Sequence, residues 1–262
     1  MVDIGRVGIV GGAGWLGTAI AKALSGTGTV APDRLTCSYR SARPADDCGY
    51  HWTQDNRELV DWSDVILLSV RPADWRLVDI DAAGKMVISV MAGVTVDDIK
   101  RRTGSSRVVR ALPNAAAEIG YSYTPFFVDS VDVNDGETVR ILFGSCGQVD
   151  QVFDEDQIDY FTAMSGSGAA FPALLAEAMM LDAMRRGVPP DVARRAAQQT
   201  LVGAGRLQEF NGACPSETVK SFVDYKGTTA AGIAGMRNGG FAAIVSAGLD
   251  AAYRKAKDLA KS

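Results

Sequence analysis

Three glycines near the amino end, Gly12, Gly14 and Gly17, form a G-x-G-x-x-G set directly after the apolar run Val7 to Val10 and before the amphipathic run Thr18 to Leu24. Glycine at these places permits a tight turn and lets backbone approach a ligand closely, while the start of the following helix offers unpaired N–H groups to an anion. The chemistry this suits is holding the pyrophosphate of a dinucleotide. The second apolar run, Leu35 to Tyr39, ends in Ser38-Tyr39-Arg40-Ser41-Ala42-Arg43. A carboxylate there would accept from a ribose 2′-OH, whereas two cations and two hydroxyls suit a 2′-phosphate. Arg40 is the leading candidate because it follows the strand at once, with Ser41 and Arg43 beside it, so the expected cofactor is NADPH. The alternative for Arg40 is a solvated loop cation.

These residues need a scaffold that delivers strand ends to one edge. From Arg6 to about Phe127, the short runs Val7 to Val10, Leu35 to Tyr39, Val65 to Val70, Met86 to Val90 and Val108 to Ala111 alternate with helical stretches. That alternation predicts a parallel sheet of βαβ units. Beyond Thr162, Ala, Leu and Met recur at three- and four-residue spacing in Ala169 to Arg186, Asp191 to Phe210 and Phe241 to Ala260, so the second half is expected to be helical. The break is expected between Phe153 and Ser167. The fold class is therefore α/β: a Rossmann-type dinucleotide-binding domain over 1–160, followed by an all-α domain over 161–262.

Bulk properties narrow the partners. The chain has 262 residues, nearly half of them apolar, enough for a sizeable core. Its 27 basic and 31 acidic residues give a net charge of −4 with no basic block, so no nucleic-acid partner is expected. Cys37, Cys48, Cys146 and Cys214 have no metal-like spacing, which suits reduced thiols in a cytoplasmic protein; neither a disulfide nor a metal is expected. No leader pattern and no long apolar run occur, so no membrane association is expected.

Four further segments carry a resemblance. They are Leu67-Leu68-Ser69-Val70-Arg71-Pro72, Arg110-Ala111-Leu112-Pro113-Asn114, Thr162-Ala163-Met164-Ser165-Gly166-Ser167-Gly168-Ala169-Ala170-Phe171 and Lys226-Gly227-Thr228-Thr229-Ala230-Ala231-Gly232. In this order, and over nearly the whole chain, they resemble the pyrroline-5-carboxylate reductase family. The resemblance implies reduction of a cyclic imino acid, typically Δ1-pyrroline-5-carboxylate to L-proline, with hydride from NADPH. It implies that Val70, Arg71, Pro72 and the Pro113-Asn114 turn flank the nicotinamide and that Ser165, Gly166, Ser167 and Gly168 face it. It further implies that the Thr229 hydroxyl meets the substrate nitrogen, with the amides of Gly227, Thr228 and Thr229 around its carboxylate. Thr229 is expected just before a helix beginning near Ala230, where an ordinary N-cap is the alternative role. A Ser-Gly-Ser-Gly hinge between domains is the alternative for Ser165 to Gly168. The family interleaves its helical halves between subunits, and the apolar excess of the helical runs agrees with a homodimer. By that arrangement, one subunit's nucleotide domain would face the other's Thr229.

Departures from the family pattern matter as well. Trp15 and Leu16 stand in the cofactor loop where the family has a smaller polar pair. Asp224-Tyr225-Lys226-Gly227 replaces Ser-Pro-Gly-Gly, and Ala169 replaces a proline. Lys226 is either a solvated loop cation or a ligand for an additional anionic group on a different imine. Reduction of another cyclic imine, and a non-catalytic NADPH-binding sensor, are the alternative functions.

Other chemistries fit less well. His51, the only histidine, sits in the loop-like Gly49-Tyr50-His51-Trp52 and is a poor candidate for a general acid. A protonated cyclic imine is already electrophilic, so positioning matters more than a strong acid. Tyr253-x-x-x-Lys257 mimics a short-chain dehydrogenase pair but lies in the last helix. No lysine occurs between Lys100 and Lys220, which argues against a β-hydroxyacid dehydrogenase.

Overall fold

A computed structural model describes residues 4–45 and 48–259. The first unit runs to Ser167 and resumes at Ala252; the second spans Gly168–Ala251. The sequence-based division after residue 160 therefore differs from these compact units at both ends of the helical half.

The first unit holds β1 (Val7–Val10), α1 (Trp15–Gly26), β2 (Leu35–Ser38), β3 (His51–Thr53), α2 (Asn56–Trp62), β4 (Val65–Leu68), β5 (Met86–Ser89), α3 (Val96–Thr103) and β6 (Arg107–Ala111). It continues with β7 (Ser122–Asp129), α4 (Asp135–Gly144), β8 (Gly147–Val152) and α5 (Glu155–Phe161). The sheet order is β3-β2-β1-β4-β5-β6-β7-β8. Neighbours are parallel except β6 and β7, which pair antiparallel, Arg110 opposite Phe127. The five strands expected from the sequence all pair parallel; β7, which the sequence did not mark, runs antiparallel to β6 because the connection between them holds only the 3-10 turn Ala115–Ile119 and no crossover helix.

Alternation within the strands shows why they form. Val7, Ile9, Val65 and Leu67 join one buried cluster with Ile20 and Leu24 of α1, whereas Val10, Ile66 and Leu68 join a second with Leu59 of α2 and Ile99 of α3. A sheet buried on both faces reads as continuous apolar sequence. Gly8 lies where α2 crowds β1: a Cβ there would meet Ser63 Oγ at 2.3 Å. The α2 helix is started by Asp55, whose carboxylate accepts from the Arg57 and Glu58 amides. His51 belongs to edge strand β3, not to a loop, because Thr36, Cys37 and Ser38 pair with His51, Trp52 and Thr53.

The second unit is made of α6 (Ala170–Arg185), α7 (Pro190–Asn211), α8 (Pro215–Asp224), α9 (Thr228–Asn238) and most of α10 (Phe241–Leu259). The α6, α8 and α9 helices bury no residue, while Leu174, Val202, Phe210 and Ile244 are exposed. Among the described residues no helix is long and apolar enough to cross a membrane.

Candidate functional site

The glycine loop is shaped by backbone alone. After β1 the chain turns at Gly11, whose φ of +80° lies in the left-handed region. A Cβ on Gly12 would lie 2.7 Å from the Cys37 Cβ, and Cβ atoms on Gly14 and Gly17 would lie 3.1 and 2.6 Å from the Gly11 carbonyl oxygen. Any side chain would fill the cradle. Internal bonds hold it: the Gly11 amide donates to Ser38 Oγ at 3.0 Å, Ala13 to the Ser38 carbonyl at 3.2 Å, and Thr18 Oγ1 to the Gly12 carbonyl at 3.0 Å. The α1 helix starts at Trp15, earlier than the expected Thr18, with Gly14 as N-cap and no acid in its first turn. The amides of Trp15, Leu16 and Gly17 thus open toward the loop without intrahelical acceptors, and no carboxylate repels an anion there. Residues of this kind fit a pyrophosphate.

A cleft of ≈ 520 Å³ adjoins the loop, walled by Gly11, Gly14, Arg40, Ser41, Val70 and Arg71 among others. This brings five of the sequence-predicted cofactor residues together with Gly11. Ser38 also lines it, but its hydroxyl oxygen already accepts from Gly11. Arg43 follows beyond that wall, and Pro72 opens the 3-10 turn Pro72–Leu77. Gly12 and Gly17 shape the turn from beneath. Leu16 packs against the core, while Trp15 is more than half exposed and lines a separate cleft with Glu118 and Ile119. Asn56 and Asp74 were missed by sequence reasoning; both line the cleft, and Asp74 pairs with Arg40 at 3.2 Å. No local signal marks Asp74, because it reaches the cleft through sheet order. The Cys37 thiol beneath Gly12 is pushed up to about 12 by burial, so it stays protonated and is no nucleophile.

Asn114 sits after β6 and is engaged at both ends of its side-chain amide. Its Oδ1 accepts from the Ala116 amide at 2.9 Å, and its Nδ2 donates to the Ser165 carbonyl at 3.1 Å. Ser165 lies in a π-helical turn, Thr162–Gly166, that continues α5 directly. The Ser165 hydroxyl donates to the Phe161 carbonyl and the Ser167 hydroxyl to the Thr162 carbonyl, at 3.2 and 3.3 Å. Both serines are therefore turned into backbone, and the division between the two compact units, after Ser167, falls within this stretch, whose alternative role is a hinge. Beneath it, buried Arg110 donates to Glu155 and Asp159 of α5, each at 2.8 Å.

The second candidate segment lies in the other unit. Lys226 has φ 57°, the one non-glycine among the described residues in the left-handed region. Gly227 is the N-cap, and α9 begins at Thr228, not near Ala230. Thr229 is the second helical residue, and no side chain caps the helix. The N-cap alternative for Thr229 is thereby overturned. Lys226, Thr228 and Thr229 are all exposed within their unit, and the amides of Thr228, Thr229 and Ala230 have no intrahelical acceptor.

Two decoys resolve structurally. Tyr253 donates its hydroxyl to Asp156 at 2.5 Å, and Lys257 pairs with the same carboxylate, which ties the end of α10 to α5. Among the described residues no group of His, Cys, Asp or Glu is placed to hold a metal ion.

A parallel-rich sheet with a glycine cradle at strand ends, followed by helices, is the architecture of a dinucleotide-binding protein. Residues 6–93 match the family described as NADP oxidoreductase coenzyme F420-dependent, and residues 155–259 match pyrroline-5-carboxylate reductase dimerisation. A zebrafish (Danio rerio) protein named pyrroline-5-carboxylate reductase 3 is 30% identical over 97% of this chain and 91% of its own. An Arabidopsis thaliana pyrroline-5-carboxylate reductase is 29% identical over 98% and 96%. The solved structure of the Coxiella burnetii pyrroline-5-carboxylate reductase superposes with a TM-score of 0.90 at 29% identity, covering 99% of this chain and all of that one. The chain belongs to the pyrroline-5-carboxylate reductase family, NAD(P)-dependent oxidoreductases that reduce a C=N bond.

Proposed function

We propose that this chain reduces Δ1-pyrroline-5-carboxylate to L-proline, with residues up to about 160 binding NADPH and 161–262 supplying substrate contacts and the homodimer interface. The observation that carries the reading is the opening of α9: Thr229 is free of capping duty, beside three unpaired amides. NADPH supplies the hydride. The Gly12–Gly17 cradle and the amides of Trp15 to Gly17 hold its pyrophosphate, and Arg40 with Ser41 takes the 2′-phosphate. At α9, the amides of Thr228 to Ala230 and the positive helix end hold the substrate carboxylate. A protonated ring imine carries N–H, so Thr229 Oγ1 accepts that hydrogen and fixes which face of the C=N bond is presented. Asn114 acts through the Ser165 carbonyl, as a positioning residue.

The test is NADPH consumption coupled to proline formation. A charge-assisted bond in a dry pocket is worth roughly 1.5–3 kcal/mol, so Thr229→Ala is expected to lower turnover about ten- to a hundredfold. Thr229→Ser retains most activity, and NADPH affinity stays near that of the parent. An alanine variant as fast as the parent at saturating imine removes Thr229 from the site. Lys226, absent from the family pattern, favours a second reading in which the imine carries an extra anionic group. Comparing pyrroline-5-carboxylate with imines bearing a second carboxylate separates the two.

A further inference from the structure

We infer that Asp74 sets how strongly the cofactor cleft discriminates between phosphorylated and unphosphorylated dinucleotides, by holding Arg40 in an ion pair that a ribose 2′-phosphate must open. The inference rests on Arg40 being the phosphate ligand. Strands β2 and β4 flank β1, so the segments leaving their carboxyl ends face each other across the cleft. Arg40 stands on the first segment and Asp74 on the second, inside the 3-10 turn. The Asp74 carboxylate lies 3.2 Å from Arg40 Nη1 and 3.7 Å from Arg71 Nε. It is the better-covered partner, 31% exposed against 68% and 81% for the two arginines.

Both backbones are fixed. The Asp74 amide donates to the Arg71 carbonyl at 2.9 Å, and Gln54 Nε2 donates to the Arg40 carbonyl at 3.1 Å. What remains free is the Arg40 guanidinium, and two anions compete for it: the resident carboxylate and an arriving phosphate. A carboxylate this close also repels a phosphate dianion directly. A dinucleotide lacking the 2′-phosphate meets neither penalty. Asp74 therefore weakens NADP(H) selectively, and the native preference is smaller than Arg40 and Ser41 alone would produce.

The experiment measures NADP⁺ and NAD⁺ binding by calorimetry at physiological ionic strength, using the full chain, Asp74→Asn, Arg40→Gln and the double variant. Because the pair is partly exposed and screened, the expected effects are modest. Asp74→Asn is expected to tighten NADP⁺ by about three- to tenfold and to change NAD⁺ by less than about twofold. In the Arg40→Gln background, most of that gain disappears. The inference is overturned if Asp74→Asn leaves NADP⁺ unchanged, weakens it, or tightens both dinucleotides equally. If Arg40→Gln weakens NADP⁺ while Asp74→Asn does nothing, Arg40 stands as the phosphate ligand and only the role of Asp74 falls. If Arg40→Gln leaves NADP⁺ unaffected, both fall.

Discussion

The cofactor end and the α9 end of this chain are built on opposite terms. In the first unit, β1, β2, β4 and β5 are buried at every position, and the glycine cradle is locked by its own backbone bonds before any ligand arrives. In the second unit, α7 buries only Ala193 and Ala197, while large apolar side chains remain uncovered along α6, α7 and α10. One region carries its core within its own unit; the other leaves apolar surface uncovered, which the proposed homodimer would bury. Cofactor binding should thus depend on the subunit alone, and substrate turnover on assembly.

The strongest way to break the first half of that contrast is to remove Arg110. Its side chain is 1% exposed and bonded to Glu155 and Asp159, with its Nε left unpartnered, so the cluster is costly even when intact. Arg110→Met leaves Asp159 buried with only Lys257, 3.9 Å away. Breaking a buried pair on one side costs about 3–5 kcal/mol, and the loss should appear as an earlier midpoint in urea. Unchanged stability would mean that α5 is held by its other contacts, among them the Val96 amide on Glu155 and the Tyr253 hydroxyl on Asp156.

The second unit is challenged by charge instead. Leu174 and Ile244 are 63% and 69% exposed within the subunit. If a second copy covers them, Leu174→Asp combined with Ile244→Asp weakens association by roughly 2–4 kcal/mol, the range of interface hot spots. Light scattering should then report a monomer at micromolar concentration while calorimetry still finds NADP⁺ bound. A parent protein that is already monomeric would show that the apolar surface has another purpose.

How much of this was legible beforehand follows the same divide. Val7–Val10 was readable to the residue because both faces of β1 are buried and the whole run is apolar. Strands β3 and β8 escaped because they lie at the sheet edges, with polar sequences His51-Trp52-Thr53 and Gly147-Gln148-Val149-Asp150-Gln151-Val152. The cradle glycines were legible because their function is steric. The hydroxyls of Ser165 and Ser167 were not: whether they face a ligand or their own helix depends on a π turn that has no sequence signature. The start of α9 was placed two residues late, since nothing local tells Gly227 from Thr229 as the cap.

The smallest effect probes Lys226, one of the departures from the family pattern. Lys226 adopts φ 57°, a conformation that disfavours a side chain, at a position where the family pattern carries glycine. Lys226→Gly relieves that strain but makes the unfolded chain more flexible, so the net gain is about 0.5–1 kcal/mol, read as a rise in melting temperature. If the α9 amides hold the single carboxylate of pyrroline-5-carboxylate, as proposed, its turnover should change little. For an imine with a second carboxylate, loss of Lys226 should raise KM several-fold with kcat unchanged, the mark of lost ground-state binding. A variant that gains stability and treats both imines alike would make Lys226 a solvated cation, with backbone strain as its one consequence.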